Sequence, residues 1–214
     1  MISLDIFADP VCPWSLIAKT RLERALAARP DHPFILVWQP FQLNPTLPAA
    51  GMERQAYLRA RFGAGASRAD LPLIEAAQAL SIPLNLAAIR RVPNTTDAHR
   101  LLHWAGLEGC QSAVMTGLMR GYWCEGRDLG QADTLAAIAA DAGMDPALVR
   151  RLLATDADRD TVAAREAHAR ERGIDATPSF VLGNDYVIAG AQDEAFWSDV
   201  IADLAGPAPA ETRH

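Results

Sequence analysis

The residue best suited to chemistry in this chain is Cys12, which separates a short apolar segment from an amphipathic one. Residues 2–8 are apolar and β-branched enough to form a buried strand, which Pro10 would end. Pro13 suits the first helical position, because its missing N–H needs no partner there. The pattern therefore places Cys12 at a helix N-terminus, where unpaired N–H groups and the helix dipole favour an anion. We expect a lowered thiol pKa and a nucleophilic thiolate.

The elements that must position this thiol lie at both ends of the chain. A second strand is predicted over residues 34–38, and prolines and an asparagine mark residues 41–45 as a loop. After a charged helix over about 158–172, a proline at 178 precedes a strand and a hairpin at Gly183-Asn184. Between these ends no convincing strand is found from about Gly51 to Asp156. The segments predicted as helices there cover residues 52–62, 67–80, 95–106, 109–124, 131–142 and 145–154.

Composition excludes several classes of function. The chain has 214 residues and a net charge of −6, and its scattered basic residues leave no footprint for nucleic acid or anionic lipid. No apolar stretch is long enough to span a bilayer, and no signal peptide is evident. We therefore expect a cytoplasmic protein. In such a reducing compartment, the odd number of three cysteines argues against a disulfide framework. No Cys/His set has metal-site spacing, so no metal is expected.

Several motifs resemble the DsbA-like thioredoxin-fold family, and most closely its FrnE-like branch. These motifs are Cys12-Pro13-Trp14 after the first strand, the Phe-Gln-Leu-Asn-Pro run at 41–45, and residues 93–100 with the sequence Pro-Asn-Thr-Thr-Asp-Ala-His-Arg. The resemblance implies an α/β thioredoxin fold with a large all-helical insertion domain. The core would comprise residues 1–48 and 157–206, the helical insertion 49–156, and a flexible tail 207–214. It also implies that Thr177-Pro178 is cis and faces the active cysteine.

The chain departs from the family's dithiol motif at Ser15, where the family has a second cysteine. A thiolate attacks a disulfide to form a mixed disulfide, which a second cysteine would normally resolve. A neutral hydroxyl cannot do so, and an external thiol must release Cys12. The expected activity is therefore that of a monothiol thiol-disulfide oxidoreductase that acts with glutathione as co-substrate and has no tightly bound cofactor. Cys12 is the expected nucleophile. The Ser15 hydroxyl, at a partly exposed helix start, is expected to donate to its thiolate.

The remaining candidate residues would bind the substrate. The backbone of Thr177 is expected to pair with an extended cysteinyl peptide such as glutathione. His99 is predicted on the second turn of a helix, facing a cleft. The full set of candidates for binding glutathione or another substrate is Pro13, Trp14, Asn44, His99, Thr177, Pro178, Gln192 and Asp193. Expected partners are glutathione, small thiols or disulfides, and cysteinyl peptides; a homodimer is one option for the oligomeric state.

Two other functions remain open at this stage. Kappa-class glutathione transferases and 2-hydroxychromene-2-carboxylate isomerases resemble this architecture, although a serine in them activates glutathione at the position of Cys12. A redox-inactive, peptide-binding or chaperone-like module would accommodate Ser15 but leave the activated context of Cys12 unexplained. The sequence names no physiological substrate.

Overall fold

The computed structural model describes residues 1–183 and 185–205, so the predicted tail 207–214 and Asn184 of the predicted hairpin turn lie outside the described residues. The strands are β1 (Ile2–Ala8), β2 (Phe34–Pro40), β3 (Met52–Glu53), β4 (Arg91–Val92), β5 (Ser179–Leu182) and β6 (Tyr186–Ala189). The helices are α1 (Pro13–Ala28), α2 (Arg54–Phe62), α3 (Leu71–Ala79), α4 (Thr96–Leu107), α5 (Gln111–Trp123), α6 (Ala132–Asp141), α7 (Pro146–Leu153), α8 (Arg159–Glu171) and α9 (Glu194–Ala205). A 3-10 helix, Gly63–Arg68, joins α2 to α3.

The central sheet draws its strands from both ends of the chain. Its order is β2-β1-β5-β6, with β1 parallel to β2 and antiparallel to β5. A parallel pair needs a crossover, which α1 supplies between β1 and β2. Leu4 and Ile6 of β1 are fully buried, as expected of a strand at the centre of a covered sheet. This arrangement is the thioredoxin fold that the sequence predicted.

The segment between β2 and α8 is a large helical insertion, which confirms the predicted fold class. One detail differs from the expectation of an all-helical insertion. Strands β3 and β4 pair antiparallel, with Met52 opposite Val92 and Glu53 opposite Arg91. Two-residue strands are too short to show an alternating pattern, which explains why the sequence did not indicate them. The boundaries between core and insertion stay a prediction. Within the described residues, no helix is both long and apolar enough to cross a membrane.

Two buried side chains join separate segments of the chain. Arg100 of α4 donates to the carbonyls of Leu152, Thr155 and Ala157 at 2.7–2.8 Å, and is fully buried. Its guanidinium therefore links α4 to the turn between α7 and α8. The indole Nε1 of Trp123, at the end of α5, donates to the Pro10 carbonyl at 3.0 Å. This bond joins the insertion directly to the turn that carries the active cysteine.

Candidate active site

Cys12 is the N-cap residue of α1, as the sequence predicted. Its backbone is extended, with φ −80° and ψ 121°, while Pro13 takes the first helical position. The Cys12 N–H donates to the Asp9 carbonyl at 3.0 Å, which closes the turn between β1 and α1. The side chain is 1% exposed, so the thiol lies under the surface rather than on it.

The second part of the site is the loop that leads into β5. The Thr177-Pro178 bond is cis, and the Cys12 thiol donates to the Thr177 carbonyl at 3.4 Å. The resemblance implied the cis bond and its closeness to Cys12, and both are confirmed. The two ends of the chain thus meet at the Cys12 sulfur.

The Ser15 hydroxyl forms a hydrogen bond with the Thr177 hydroxyl, where the two ends of the chain meet. The Ser15 Oγ lies 2.9 Å from Oγ1 of Thr177, and either hydroxyl can donate. The Thr177 hydroxyl also accepts from the Asp9 N–H at 3.2 Å, and the Phe7 carbonyl at 3.4 Å is an alternative acceptor for its one proton. Ser15 is 1% exposed, which corrects the expectation that this position is partly open to solvent. The serine therefore connects α1 to the loop carrying the cis proline.

The environment of Cys12 does not lower its pKa, contrary to the expectation from its helix position. Burial raises the pKa of the thiol, because the thiolate loses its hydration, and the nearby Asp9 raises it further. Hydrogen bonds from the Ser15 hydroxyl and from the N–H groups of Ser15 and Trp14 oppose this effect without overcoming it. The resting protein therefore holds a protonated thiol whose ionisation depends on these three donors.

Asp9 lies beneath the active-site turn, and its carboxylate joins three separate segments. Oδ1 accepts from the Val11 N–H at 3.0 Å, and Oδ2 accepts from the Leu43 N–H at 2.7 Å and from the Thr95 hydroxyl at 3.0 Å. The side chain is fully buried, and burial raises the pKa of the carboxyl despite these donors. Asp9 thus fixes the position of the Cys12 turn against the 41–45 loop and the start of α4.

His99 lies in the interior rather than in a cleft, which corrects the sequence prediction. It is 1% exposed, and neither ring nitrogen has a partner among the described residues. Burial lowers the pKa of this imidazole, while the neighbouring carboxyls of Asp9 and Glu166 act in the opposite direction. The sequence indicated that this residue would occupy the second turn of a helix, but not which face of that helix would be covered.

A cavity of about 520 Å³ opens beside the thiol. One side is formed by Val11, Cys12 and the exposed Trp14, together with residues 175–177. The insertion contributes further lining residues, including one face of α2, and the 41–45 loop also lines the cavity. The volume falls within the usual range for small-molecule sites. The arrangement can therefore hold a small substrate against the only cysteine that borders this cavity.

Comparison with known proteins agrees with this geometry. The family model for the DSBA-like thioredoxin domain matches residues 3–202. The chain belongs to this family. A protein described as a probable DsbA oxidoreductase from Streptomyces coelicolor is 28% identical in sequence, with a TM-score of 0.85 over 100% of this chain and 94% of that one. Family membership supports thiol-disulfide oxidoreductase or isomerase chemistry.

Two solved structures of lower identity share the fold of this DsbA-like chain. The 2-hydroxychromene-2-carboxylate isomerase is 16% identical, with a TM-score of 0.70 over 95% of this chain and 96% of that one. The cytosolic disulfide reductase DsbM from Pseudomonas aeruginosa, solved with GSH, is 16% identical, with a TM-score of 0.68 over 95% of this chain and 98% of that one. These two likenesses show a shared fold.

Not all of the predicted binding residues reach the cavity of this DsbA-like site. Pro13, Trp14, Asn44 and Thr177 line it. The Asn44 side chain accepts from the Tyr57 hydroxyl at 3.0 Å, and its buried Nδ2 has no partner among the described residues. The functional roles of these residues stay predictions.

Gln192 and Asp193 do not line the cavity, which corrects the expectation that they hold a ligand. Gln192 donates to the Ala189 carbonyl at 2.7 Å, and Asp193 accepts from the Phe196 N–H at 2.8 Å as an ordinary helix cap. Pro178 is buried behind Thr177 and does not line the cavity.

The sequence analysis missed the α2 side of the cavity and Asp175. Tyr57, Leu58, Arg61 and Phe62 all line the cavity. Their spacing follows one face of a helix, a signal that was present in the sequence, but nothing local indicated that this face would meet Cys12. Within residues 1–183 and 185–205, no group of three metal-binding side chains is close enough to hold an ion.

Proposed function

We propose that this protein is a monothiol disulfide reductase that uses glutathione, with Cys12 as its nucleophile. The observation that carries the proposal is the combination at one point of a helix-capping thiol, a cis Thr177-Pro178 bond and a buried Ser15 where a resolving cysteine would stand. The thiol can attack a disulfide, but no second thiol lies within the motif to complete the cycle.

The reaction we propose has two exchanges. The Cys12 thiol first loses its proton to water. The resulting thiolate attacks the glutathionyl sulfur of a mixed disulfide, a bond forms between the two sulfurs, and the other half leaves as a thiolate that takes up a proton. A second glutathione, as its thiolate, then attacks the glutathionyl sulfur on Cys12. This step forms glutathione disulfide and restores the Cys12 thiol. The net reaction reduces the mixed disulfide to a thiol and oxidises glutathione.

Several features of the cavity support glutathione as the co-substrate. The Thr177 carbonyl already accepts a hydrogen bond from the sulfur, so the backbone at this position can pair with an extended cysteinyl peptide. Asp175 lies two residues earlier, lines the same cavity and is exposed, so its carboxylate can pair with an ammonium group. The Pseudomonas reductase of the same fold was solved with GSH. A reducing compartment such as the cytoplasm would supply this thiol.

The test is to expose the reduced protein to glutathione disulfide and follow its intact mass. Wild type should gain one glutathione on Cys12 and keep it until free glutathione is added. Cys12→Ser should gain none, whereas Cys110→Ser and Cys124→Ser, which remove the two cysteines outside the cavity, should behave as wild type. A wild-type protein that stays unmodified while binding glutathione and converting an electrophile would instead be a transferase or isomerase. One that neither binds nor reacts would be a binding module.

A further inference from the structure

One face of α2 lines the cavity in addition to the residues around the thiol. This face consists of Tyr57, Leu58, Arg61 and Phe62, and we call it the α2 face. These residues are the first, second, fifth and sixth residues of one run and therefore share one side of the helix. Phe62 is 46% exposed, so its side chain is available to a molecule bound in the cavity.

The charges in the cavity wall are unevenly paired. The Arg54 guanidinium donates to both carboxylate oxygens of Asp70 at 2.7 Å, and Arg170 donates to Glu166 at 2.7 Å. Arg61 contacts no carboxylate among the described residues, and its guanidinium lies 5.9 Å from the centre of the Phe62 ring. The α2 face therefore presents one positive charge that has no anionic partner in the part of the chain the structure describes, beside an exposed aromatic ring.

We propose that the α2 face binds the thiol half of the glutathione mixed disulfide, a proposal that rests on the function proposed above. This thiol half carries a ring or other apolar group together with a carboxylate. Leu58 and Phe62 would pack against the apolar group, and Arg61 would pair with the carboxylate. An arginine guanidinium donates to both oxygens of a carboxylate at once, which suits this role. The Asp175 carboxylate lines the cavity beside Ala176 and Thr177, where it would repel a carboxylate of the substrate. This repulsion fixes the orientation of the substrate.

The bond changes are those of the first exchange. Cys12 attacks the glutathionyl sulfur, the disulfide bond breaks, and the group on the α2 face leaves as a thiolate. A positive charge at Arg61 stabilises a carboxylate on that leaving group before and during the attack. The preference for an anionic leaving group should therefore appear in the rate of this step and should weaken as salt screens the exposed guanidinium.

The test compares two mixed disulfides of glutathione that differ in the leaving group. One carries thionitrobenzoate, which has a ring and a carboxylate, and the other carries thiopyridine, which has a ring and no carboxylate. Stopped-flow absorbance measures the release of each coloured thiol from reduced protein in the absence of free glutathione. The rate due to Cys12 is obtained by subtracting the rate of the Cys12→Ser variant.

In Arg61→Ala the ratio of the thionitrobenzoate rate to the thiopyridine rate should fall about fivefold, the size expected for one exposed ion pair. Arg61→Glu should lower the ratio further, and Arg61→Lys should keep most of it. Arg59→Ala is the matched control, because Arg59 lies on the same helix, is 66% exposed, pairs with Glu53 and does not line the cavity. It should leave the ratio unchanged.

The outcomes separate the two proposals. An equal ratio in wild type, Arg61→Ala and Arg59→Ala, with rapid release of both thiols, would overturn the α2-face proposal and leave the reductase function standing. Release no faster than in Cys12→Ser for both probes would overturn the reductase function itself. An equal loss of ratio in Arg59→Ala and Arg61→Ala would show a general effect of surface charge and would also overturn the assignment to Arg61.

Discussion

Replacing Ser15 with cysteine tests the monothiol mechanism most directly, because it restores the second thiol of the dithiol motif. The change removes the 2.9 Å hydrogen bond between the Ser15 and Thr177 hydroxyls. The Thr177 hydroxyl keeps the Asp9 N–H and the Phe7 carbonyl as partners, so no buried group is orphaned. The reduced variant should therefore lose only about 1 kcal/mol of unfolding free energy, the usual net value of one such bond.

The effect on chemistry should be much larger. Cys12 is the N-cap of α1 and residue 15 lies three positions later, so the two side chains are neighbours on the first turn. An oriented intramolecular thiol competes easily with millimolar glutathione, because reactive groups held in place reach very high effective concentrations. The glutathione adduct of Ser15→Cys should decay at least roughly a hundredfold faster than that of wild type. The product should be a disulfide between residues 12 and 15.

Intact-mass time courses after addition of glutathione disulfide measure this lifetime, and urea unfolding of the reduced proteins measures the stability cost. Ser198→Cys is the control, because Ser198 is a hydroxyl on α9 that bonds the Glu194 carbonyl and does not line the cavity. An adduct that persists equally in wild type and Ser15→Cys would refute the inference that a thiol at position 15 reaches the disulfide on Cys12. A wild-type adduct that decays without added thiol would show that some other group resolves it.

Three further variants test other parts of the structure. Ser15→Ala should slow alkylation of Cys12 at neutral pH about tenfold, because a hydrogen bond to a charged group contributes roughly 1.5–3 kcal/mol. Burial lowers the pKa of His99 below its ordinary 6.5, so the unfolded chain binds this proton more readily, and stability should fall as pH drops below about 6.5. His99→Leu should flatten that fall in urea titrations, while the exposed His168→Leu should not. Arg100→Met should cost about 3–5 kcal/mol in the same assay, since it removes three hydrogen bonds from a fully buried guanidinium to the carbonyls of Leu152, Thr155 and Ala157.

The features that depend on local sequence were predicted well. Strand β1 covers the expected residues and helix α1 begins at the expected residue, because Pro10 and Pro13 mark the boundary between them. The cis bond at Thr177-Pro178 followed from a resemblance, not from the residues themselves. What failed was the exposure of particular side chains. Ser15 and His99 were placed on the correct turns, but their burial depends on contacts with segments far away in sequence, which spacing along one helix does not encode.

The same long-range contacts explain why a helix N-terminus was not enough to predict the state of Cys12. Donors from the 41–45 loop and from the residue before α4 hydrogen-bond to the Asp9 carboxyl and fix its position near Cys12. Burial and this nearby carboxyl together raise the pKa of the thiol.

A strongly oxidising thiol owes its potential to a stabilised reduced thiolate, and Cys12 lacks that stabilisation. The neutral sulfur of a mixed disulfide suffers neither the burial penalty nor the repulsion from Asp9. This environment therefore suits the proposed reductase better than a disulfide-donating oxidase, which needs a stabilised thiolate.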